Sequence, residues 1–444
     1  MPYKNKQIAV LGFGSSGEAA ARLLAEEGAM TTILDSADLK KLRSKIDRIR
    51  PLRISILAGH EADTDPRRYD RGILSPGIDP AAPLVQNFLR KRIEMIGELE
   101  FSWELCKCPV TAITGTNGKT TTTELVARML NECEVRTLAA GNIGPAFAAV
   151  VKKSGDLDMM TLEVSSFQLE EIRTFRPHIA VWLNFTPDHL DRYSDMESYR
   201  RAKLRIFENQ TEEDFAVVKL EDMPAVVNPA SLRAQVISFS AVRQGGDFDL
   251  RDGVIHFRGE PVLAMSETRL RGVHNAENLM AAMGVGYRMG LSFERVTPQL
   301  ATYTPLPHRC ELVGTVEGVD YVNDSKATNI DALEKALVSE TRPVVLIAGG
   351  KDKGFEFGSV TELIARKVHH AVLIGEMSGR IAALWECRVP CEQAATLEDA
   401  VRLARGHARS GEVVLFSPGT SSFDMFKNYA DRGDQFRNLV KSLV

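Results

Sequence analysis

Residues 114–120 read Thr-Gly-Thr-Asn-Gly-Lys-Thr, and their flanks narrow the local fold to one arrangement. The apolar, β-branched run through Val110, Ala112 and Ile113 predicts a buried strand, and Thr121 to Leu130 predicts a helix. A strand, a glycine-bearing turn and a helix that opens on Lys-Thr make a cradle for nucleotide phosphates. The glycines let backbone N–H groups close on the phosphates, and the helix N-terminus adds partial positive charge. Lys119 is placed to reach the outer phosphates and Thr120 to offer a hydroxyl to Mg2+. The strict pattern asks for a glycine where this chain has Ile113, so an ordinary strand-to-helix turn is the competing reading.

The 444 residues exceed one core and predict two to four domains. Lys and Arg number 55 against 59 Asp and Glu, a net charge of −4, so no basic surplus points to nucleic acid. No apolar run is long enough for a membrane span, and the polar stretch Met1 to Gln7 argues against a signal peptide. The six cysteines are scattered, which suits a reducing cytoplasm. Cys106 with Cys108 and Cys387 with Cys391 are the close pairs, and neither has zinc-type spacing to a further Cys or His.

Strand and helix patterns alternate along the chain, which predicts α/β domains on mostly parallel sheets. In the first third, a strand at 7–11 runs into Gly12-Phe13-Gly14-Ser15-Ser16-Gly17, followed by a helix at 18–27. A second strand at 30–34 ends at Asp35. This resembles a dinucleotide fingerprint; alone it says that a phosphate or ribose lies near these strand ends. The middle third starts near 101–109, with strands at 159–164 and 179–185 and a helix at 199–209. Ligands of open α/β sheets bind outside the carboxyl ends of strands, so Lys119, Glu163 and His189 are expected at one edge. After the break at Thr304-Pro305-Leu306-Pro307, strands at 344–348, 371–374 and 413–416 predict another doubly wound unit.

Glu163 sits in an apolar strand, where a carboxylate must be paired, protonated or bound to metal. Beside a phosphate loop a metal role is favoured, with a satisfied structural carboxylate as the alternative. His189, in a polar run from Asn184 to Arg192, is either a ligand or a structural imidazole. Asn275 and Asn278 share a helical face, to cap a helix or to read a purine edge. The loops 323–329, 349–353 and 417–422 are dense in donors and acceptors, and their lysines suit an anionic substrate.

Taken together, Thr114 to Thr120, Glu163-Val-Ser-Ser-Phe-Gln-Leu169, Asn184 to Tyr193, Gly272 to Asn278, His308-Arg309 and Asn323 to Asn329 resemble the Mur ligases. These are ATP-dependent, amide-forming ligases that assemble the peptide of bacterial cell-wall precursors. The resemblance covers essentially the whole chain. Ser75 to Ile78, Asn323 to Asn329 and Ser421 to Gly433 look most like the D-glutamate-adding branch, and the Asp-Asn-Pro-Arg motif expected of the diaminopimelate- or lysine-adding branch is absent from the sequence. Folylpolyglutamate synthases share the phosphate loop but lack the short first domain that binds a uridine nucleotide. Another amino-acid-adding member is the main rival. A nucleotide-sugar or NAD-dependent oxidoreductase would leave the phosphate loop and the lysine segment at 199–203 unexplained, and a non-catalytic nucleotide-binding regulator would bind ATP without releasing ADP.

The resemblance implies three α/β domains. These are a Rossmann-like UDP-sugar domain at 1–100, a central P-loop ATPase domain at 101–305 and a Rossmann-like amino-acid domain at 306–444. It implies a cytoplasmic monomer, without nucleic-acid or membrane partners, that takes UDP-N-acetylmuramoyl-L-alanine, D-glutamate and ATP through an acyl phosphate and a tetrahedral intermediate. ATP would be held by Gly115, Thr116, Asn117, Gly118, Lys119, Thr120, Thr121, Asn275, Asn278, Arg309, Asp324 and Lys326. Two Mg2+ ions would be held by Thr120, Glu163, His189 and Lys203, the last as a carbamate made from CO2. Lys119, Glu163, His189 and Lys203 would be the catalytic set. Gly14, Ser15, Ser16, Asp35, Ser36, Ser75, Gly77, Asn142 and Ser165 would meet the UDP-sugar; Thr328, Lys353, Ser422 and Tyr429 would meet D-glutamate.

Overall fold

A computed structural model of the chain describes residues 2–52, 54–188, 192–226, 232–270, 272–304, 307–340, 342–353 and 355–443. The chain divides into two compact units. The first comprises Met1–Phe185, Glu197–Leu263 and Glu277–Leu300; the second comprises Thr186–Met196, Ala264–Ala276 and Ala301–Val444.

The first unit holds two sheets. One contains β1 (Gln7–Leu11), β2 (Met30–Asp35), β3 (Ser55–Ala58), β4 (Arg71–Leu74) and β5 (Met95–Gly97), in the order β3-β2-β1-β4-β5 and parallel throughout. Ile8 and Val10 enter one apolar cluster while Ala9 and Leu11 enter another. Both faces are therefore covered, which is why the strand reads as an unbroken apolar run rather than an alternation.

The larger sheet contains β6 (Val110–Thr114), β7 (Thr137–Gly141), β8 (Met159–Glu163), β9 (Ile179–Trp182), β10 (Phe215–Lys219), β11 (Gln235–Ser240), β12 (Phe248–Arg251), β13 (Val254–Phe257) and β14 (Glu260–Ala264). Its order is β14-β13-β12-β11-β10-β9-β6-β8-β7. Strand–helix alternation breaks down at β12 to β14. Asp252 and Gly253 both take positive φ, 48° and 77°, and turn β12 back onto β13 as an antiparallel pair. Asp-Gly is the dipeptide that such a tight hairpin favours.

Glu98 and Glu100 open a short helix, Glu98–Trp103, directly after β5. Both are buried. Glu100 accepts from the amides of Arg173, Thr174 and Phe175 at 2.8, 2.8 and 3.0 Å, and from the Thr174 hydroxyl at 2.6 Å. A carboxylate so supplied with donors is comfortable in an apolar setting, and it fixes the 173–175 loop below β9.

The second unit holds β15 (Glu311–Val316), β16 (Val319–Asn323), β17 (Val344–Gly349), β18 (Val368–Ile374), β19 (Cys391–Gln393) and β20 (Val413–Phe416), in the order β15-β16-β20-β17-β18-β19. Only β15 runs antiparallel to its neighbour.

Some expected boundaries move. The strand at 179 ends at Trp182, not at 185, because the chain then turns to clamp the phosphate loop. The helix expected at 199–209 spans Met196–Leu204 and tightens into a 3-10 turn at Arg205–Phe207. The helix that carries Asn275 and Asn278 spans Val273–Arg288, and the Gly272 carbonyl already accepts from the amides of Asn275 and Ala276. Among the described residues no helix is long and apolar enough to cross a membrane.

Candidate active site

The phosphate loop lies between β6 and the helix Lys119–Glu132. Two sets of hydrogen bonds brace it. Asn184, just past the end of β9, accepts from the Asn117 amide with Oδ1 at 2.9 Å, donates from Nδ2 to the Asn117 carbonyl at 3.0 Å, and accepts from the Thr116 amide with its own carbonyl at 3.0 Å. Lys119 folds back and donates Nζ to the carbonyls of Gly115 and Thr116 at 2.9 and 2.8 Å. The turn itself needs Gly118. Its φ is +83°, and a Cβ there would stand 2.4 Å from Asn278 Oδ1. Asn278 is buried, and its Oδ1 also accepts from the Thr122 hydroxyl at 3.2 Å, so this amide packs against the cradle wall. Thr120 is half-buried in the first helical turn, and Thr121 beside it is buried.

Sheet register brings Glu163 to the base of the cradle, because Glu163 pairs with Ile113 across β8 and β6. Its side chain is buried. One oxygen accepts from Asn142 Nδ2 at 2.8 Å, while Oε2, also buried, has no hydrogen-bond partner among the described residues. An orphaned carboxylate oxygen at a phosphate loop fits a hard cation such as Mg2+, which takes oxygen ligands. Lys203, in the helix Met196–Leu204, is 2% exposed and donates Nζ to the Gly115 carbonyl at 2.8 Å, above the Tyr199 ring. A lysine in a helix that reads as mostly polar is thus a buried group at the phosphate loop. His189 lies outside the described residues.

In the first sheet, Gly14 caps the helix Ser15–Glu26 without a side-chain hydrogen bond of its own, leaving Ser15 exposed and Ser16 half-buried at a free helix N-terminus. Gly17 is required there, since a Cβ would fall 1.9 Å from the Gly12 carbonyl oxygen. A groove of about 660 Å3 starts at Gly14 and Ser15 and passes Arg22, Lys45, Arg48 and Lys152. Asp35 spends both carboxylate oxygens on backbone, accepting from the Phe13 and Ala37 amides at 2.7 and 2.8 Å. Ser36 donates to Asp63 at 2.6 Å, and Ser75 donates to the Gly12 carbonyl at 3.0 Å. Gly77 and Asn142 are exposed. Ser165 forms a capping box with Gln168 at the start of the helix Ser166–Leu169.

The second unit gathers its polar loops around two buried charges. Asp324 accepts from the Ser417 hydroxyl at 2.8 Å and the Cys310 amide at 3.2 Å. Burial pushes its carboxyl up to about 6, against the pull of those bonds and of Arg309. Arg432 is fully buried. It donates Nε to Ser325 Oγ at 3.0 Å, Nη2 to the Ser325 carbonyl at 2.8 Å, and both Nη atoms to the Thr420 carbonyl at 3.2 Å. Burial lowers the pKa of this guanidinium. The loops 323–329 and 417–422 are thereby tied together. Lys326 lies over the Tyr429 ring, 4.0 Å from its centroid. Ser422 is buried, Thr328, Arg309 and Lys353 are half-buried, and Lys353 faces the Phe355 ring. Asn275 is half-buried in its helix.

Two residues that the sequence did not single out as site residues complete these arrangements. Asn184 had a readable signal, an amide directly after a buried strand on the sheet edge that carries the cradle. Arg432 had none, because its partners are the Ser325 hydroxyl and the carbonyls of Ser325 and Thr420, which only the fold brings together.

A mostly parallel sheet with a phosphate cradle, an orphaned acid at the adjoining strand end and a buried lysine beside it suits an ATP-using ligase, and the chain belongs to the Mur ligase family. Residues 6–97 match the MurD-like N-terminal domain of Mur ligases, 113–286 the Mur ligase middle domain, and 308–419 the Mur ligase glutamate ligase domain. Within the family, the chain is similar to proteins named UDP-N-acetylmuramoylalanine–D-glutamate ligase. It is 39% identical to that of Geotalea daltonii and 40% identical to that of Geobacter metallireducens, in both cases over 100% of this chain and 99% of the relative. The fold is shared with the UDP-N-acetylmuramate-alanine ligase of Thermotoga maritima (TM-score 0.63, 18% identity, 99% of this chain and 100% of that one). It is also shared with a pseudomurein peptide ligase type C of Methanothermus fervidus (TM-score 0.62, 16% identity, 99% and 100%).

Proposed function

We propose that this chain joins D-glutamate to UDP-N-acetylmuramoyl-L-alanine at the expense of ATP, in the cytoplasmic synthesis of peptidoglycan precursors. The observation that carries the reading is the full-length similarity to D-glutamate ligases, about 40% identical from end to end. The orphaned Glu163 oxygen beside the phosphate loop supports the ATP and metal chemistry.

The L-alanine carboxylate attacks the γ-phosphorus of ATP and releases ADP. The D-glutamate amine then attacks the acyl phosphate, and the tetrahedral intermediate expels phosphate to leave the amide. Two anions meet in the first step, so the chain's task is to place cations and N–H donors around them. Lys119 leaves the Gly115 and Thr116 carbonyls to reach the phosphates. Asn184 keeps the Thr116 and Asn117 amides aligned as the loop fills. Bound Mg2+ supplies charge neutralisation at the transferring phosphoryl group, with Thr120, Glu163, His189 and Lys203 as its proposed holders. Lys203 suits that role as a carbamate. The modified nitrogen keeps one N–H for the Gly115 carbonyl and gains anionic oxygens that a hard cation prefers.

We assign 1–100 to the UDP-sugar, 101–305 to ATP and 306–444 to the amino acid, in a monomer. Gly14, Ser15 and Ser16 offer the free helix N-terminus for the diphosphate. Asp35, committed to backbone, shapes the uridine wall through the Phe13 and Ala37 amides.

The test supplies ATP, Mg2+ and UDP-N-acetylmuramoyl-L-alanine, then compares D-glutamate with L-glutamate, D-alanine and diaminopimelate. ADP release that needs D-glutamate is the expected result. Release that needs one of the others would overturn the substrate assignment.

A further inference from the structure

We propose that His370, Glu392 and His407 form a binding site for a zinc-type divalent cation at the outer edge of the third sheet, separate from the ligase site. His370 lies in β18 and Glu392 in the edge strand β19, where Val372 pairs with Glu392. His407 is the last residue of the helix Leu397–His407. One ligand atom from each lies within 4.8 Å of the other two. Glu392 Oε1 is 2.8 Å from His407 Nε2 and 3.2 Å from His370 Nε2. Ligand atoms around tetrahedral Zn2+, with bonds of about 2.0–2.1 Å, are roughly 3.3 Å apart, so the cluster is near coordination spacing before any ion arrives.

The second observation is His370 itself. It is 7% exposed, and its Nε2 faces this cluster, 3.2 Å from Glu392 Oε1 but outside hydrogen-bonding geometry with it or with any other described residue. A buried ring nitrogen left unsatisfied asks for an explanation, and a cation shared with Glu392 and His407 supplies one. The two imidazoles stack with centroids 3.5 Å apart and planes 14° from parallel. Binding one ion requires them to splay. His407, half-exposed at a helix end, is the ring free to move.

Two imidazoles and a carboxylate select a borderline ion such as Zn2+ or Co2+ over Mg2+, which wants oxygen. The half-exposed side of the cluster leaves a coordination position for water. Bound there, the ion staples a three-residue edge strand to its neighbour and to the following helix.

The experiment titrates metal-free full-length protein with Co2+ and then Zn2+, in excess Mg2+ and ADP to occupy the ligase site. The expected result is one equivalent more in the wild type than in His407→Ala or Glu392→Gln, with visible absorption of low-coordinate Co2+ in the wild type alone. Affinity at that equivalent should fall more than about tenfold in either variant. Both side chains are partly exposed, and retained ligase activity certifies the fold of each variant. Equal stoichiometry and spectrum in wild type and a folded variant would overturn the proposal, as would no Zn2+ retained by the wild type at micromolar concentration.

Discussion

Asp324 is held as a carboxylate where a neutral group would be more stable, and replacing it should reveal that cost. Its carboxyl is raised from 3.8 to about 6, chiefly by burial. Below pH 3.8 it is protonated in both folded and unfolded chains. Between 3.8 and about 6 the unfolded chain ionises first, so the native state holds more protons and stability falls as pH rises. Above about 6 the penalty is complete; at ~1.36 kcal/mol per pH unit it amounts to ~3 kcal/mol. Asp324→Asn removes the charge and keeps the bonds. Oδ1 still accepts from the Cys310 amide, and the Ser417 hydroxyl turns from donor to acceptor of the new Nδ2. The variant should therefore be about 2–3 kcal/mol more stable than wild type at pH 8, and nearly equal to it at pH 4. Urea unfolding at the two pH values measures this, with Trp385 as reporter of the second unit in a Trp103→Phe, Trp182→Phe background. The same variant should lose ligase activity if the charge is kept for ATP, a stability–function trade. A variant less stable than wild type at pH 8, or stabilised equally at both pH values, would refute the reasoning.

Gly118→Ala should weaken ATP binding and cost about 1–3 kcal/mol of stability, since a Cβ would meet Asn278 Oδ1 at 2.4 Å with φ at +83°; calorimetric ATP binding as tight as wild type would count against this account of the loop. Lys203→Ala should lower turnover at least ~100-fold, and acetate or formate should restore part of it by supplying the missing anionic oxygens. Full activity in that variant without additive would remove Lys203 from the mechanism.

The phosphate cradle was legible because its physics is local: a buried strand carrying Val110, Ala112 and Ile113, a turn and a helix opening on Lys-Thr lie in one short stretch. Glu163 was legible for a different reason, as a charge inside an apolar strand. Asn142, which donates to it, follows β7, and Asn184, which braces the phosphate loop, follows β9; only sheet order brings these strand ends to the same edge. β12 to β14 escaped notice although Asp252-Gly253 announces a hairpin, because the surrounding alternation of strand and helix suggested another crossover. The close cysteine pairs lack zinc-type spacing, whereas the cluster that the fold assembles uses Glu392, beside Cys391, with histidines from a strand and a helix end. No spacing rule joins positions 370, 392 and 407.

The bonds from Arg432 to Ser325 span 107 residues of chain. A ribosome adding about 5–20 residues per second takes roughly 5–20 s to travel that distance. Throughout that interval the 323–329 loop has been made but its anchor has not. Strands β16 and β17 exist while the residues that fix the loop between them are still to be translated. The loop cluster of the second unit therefore matures late, and a nascent chain halted before residue 432 carries the phosphate cradle while that cluster is unfinished.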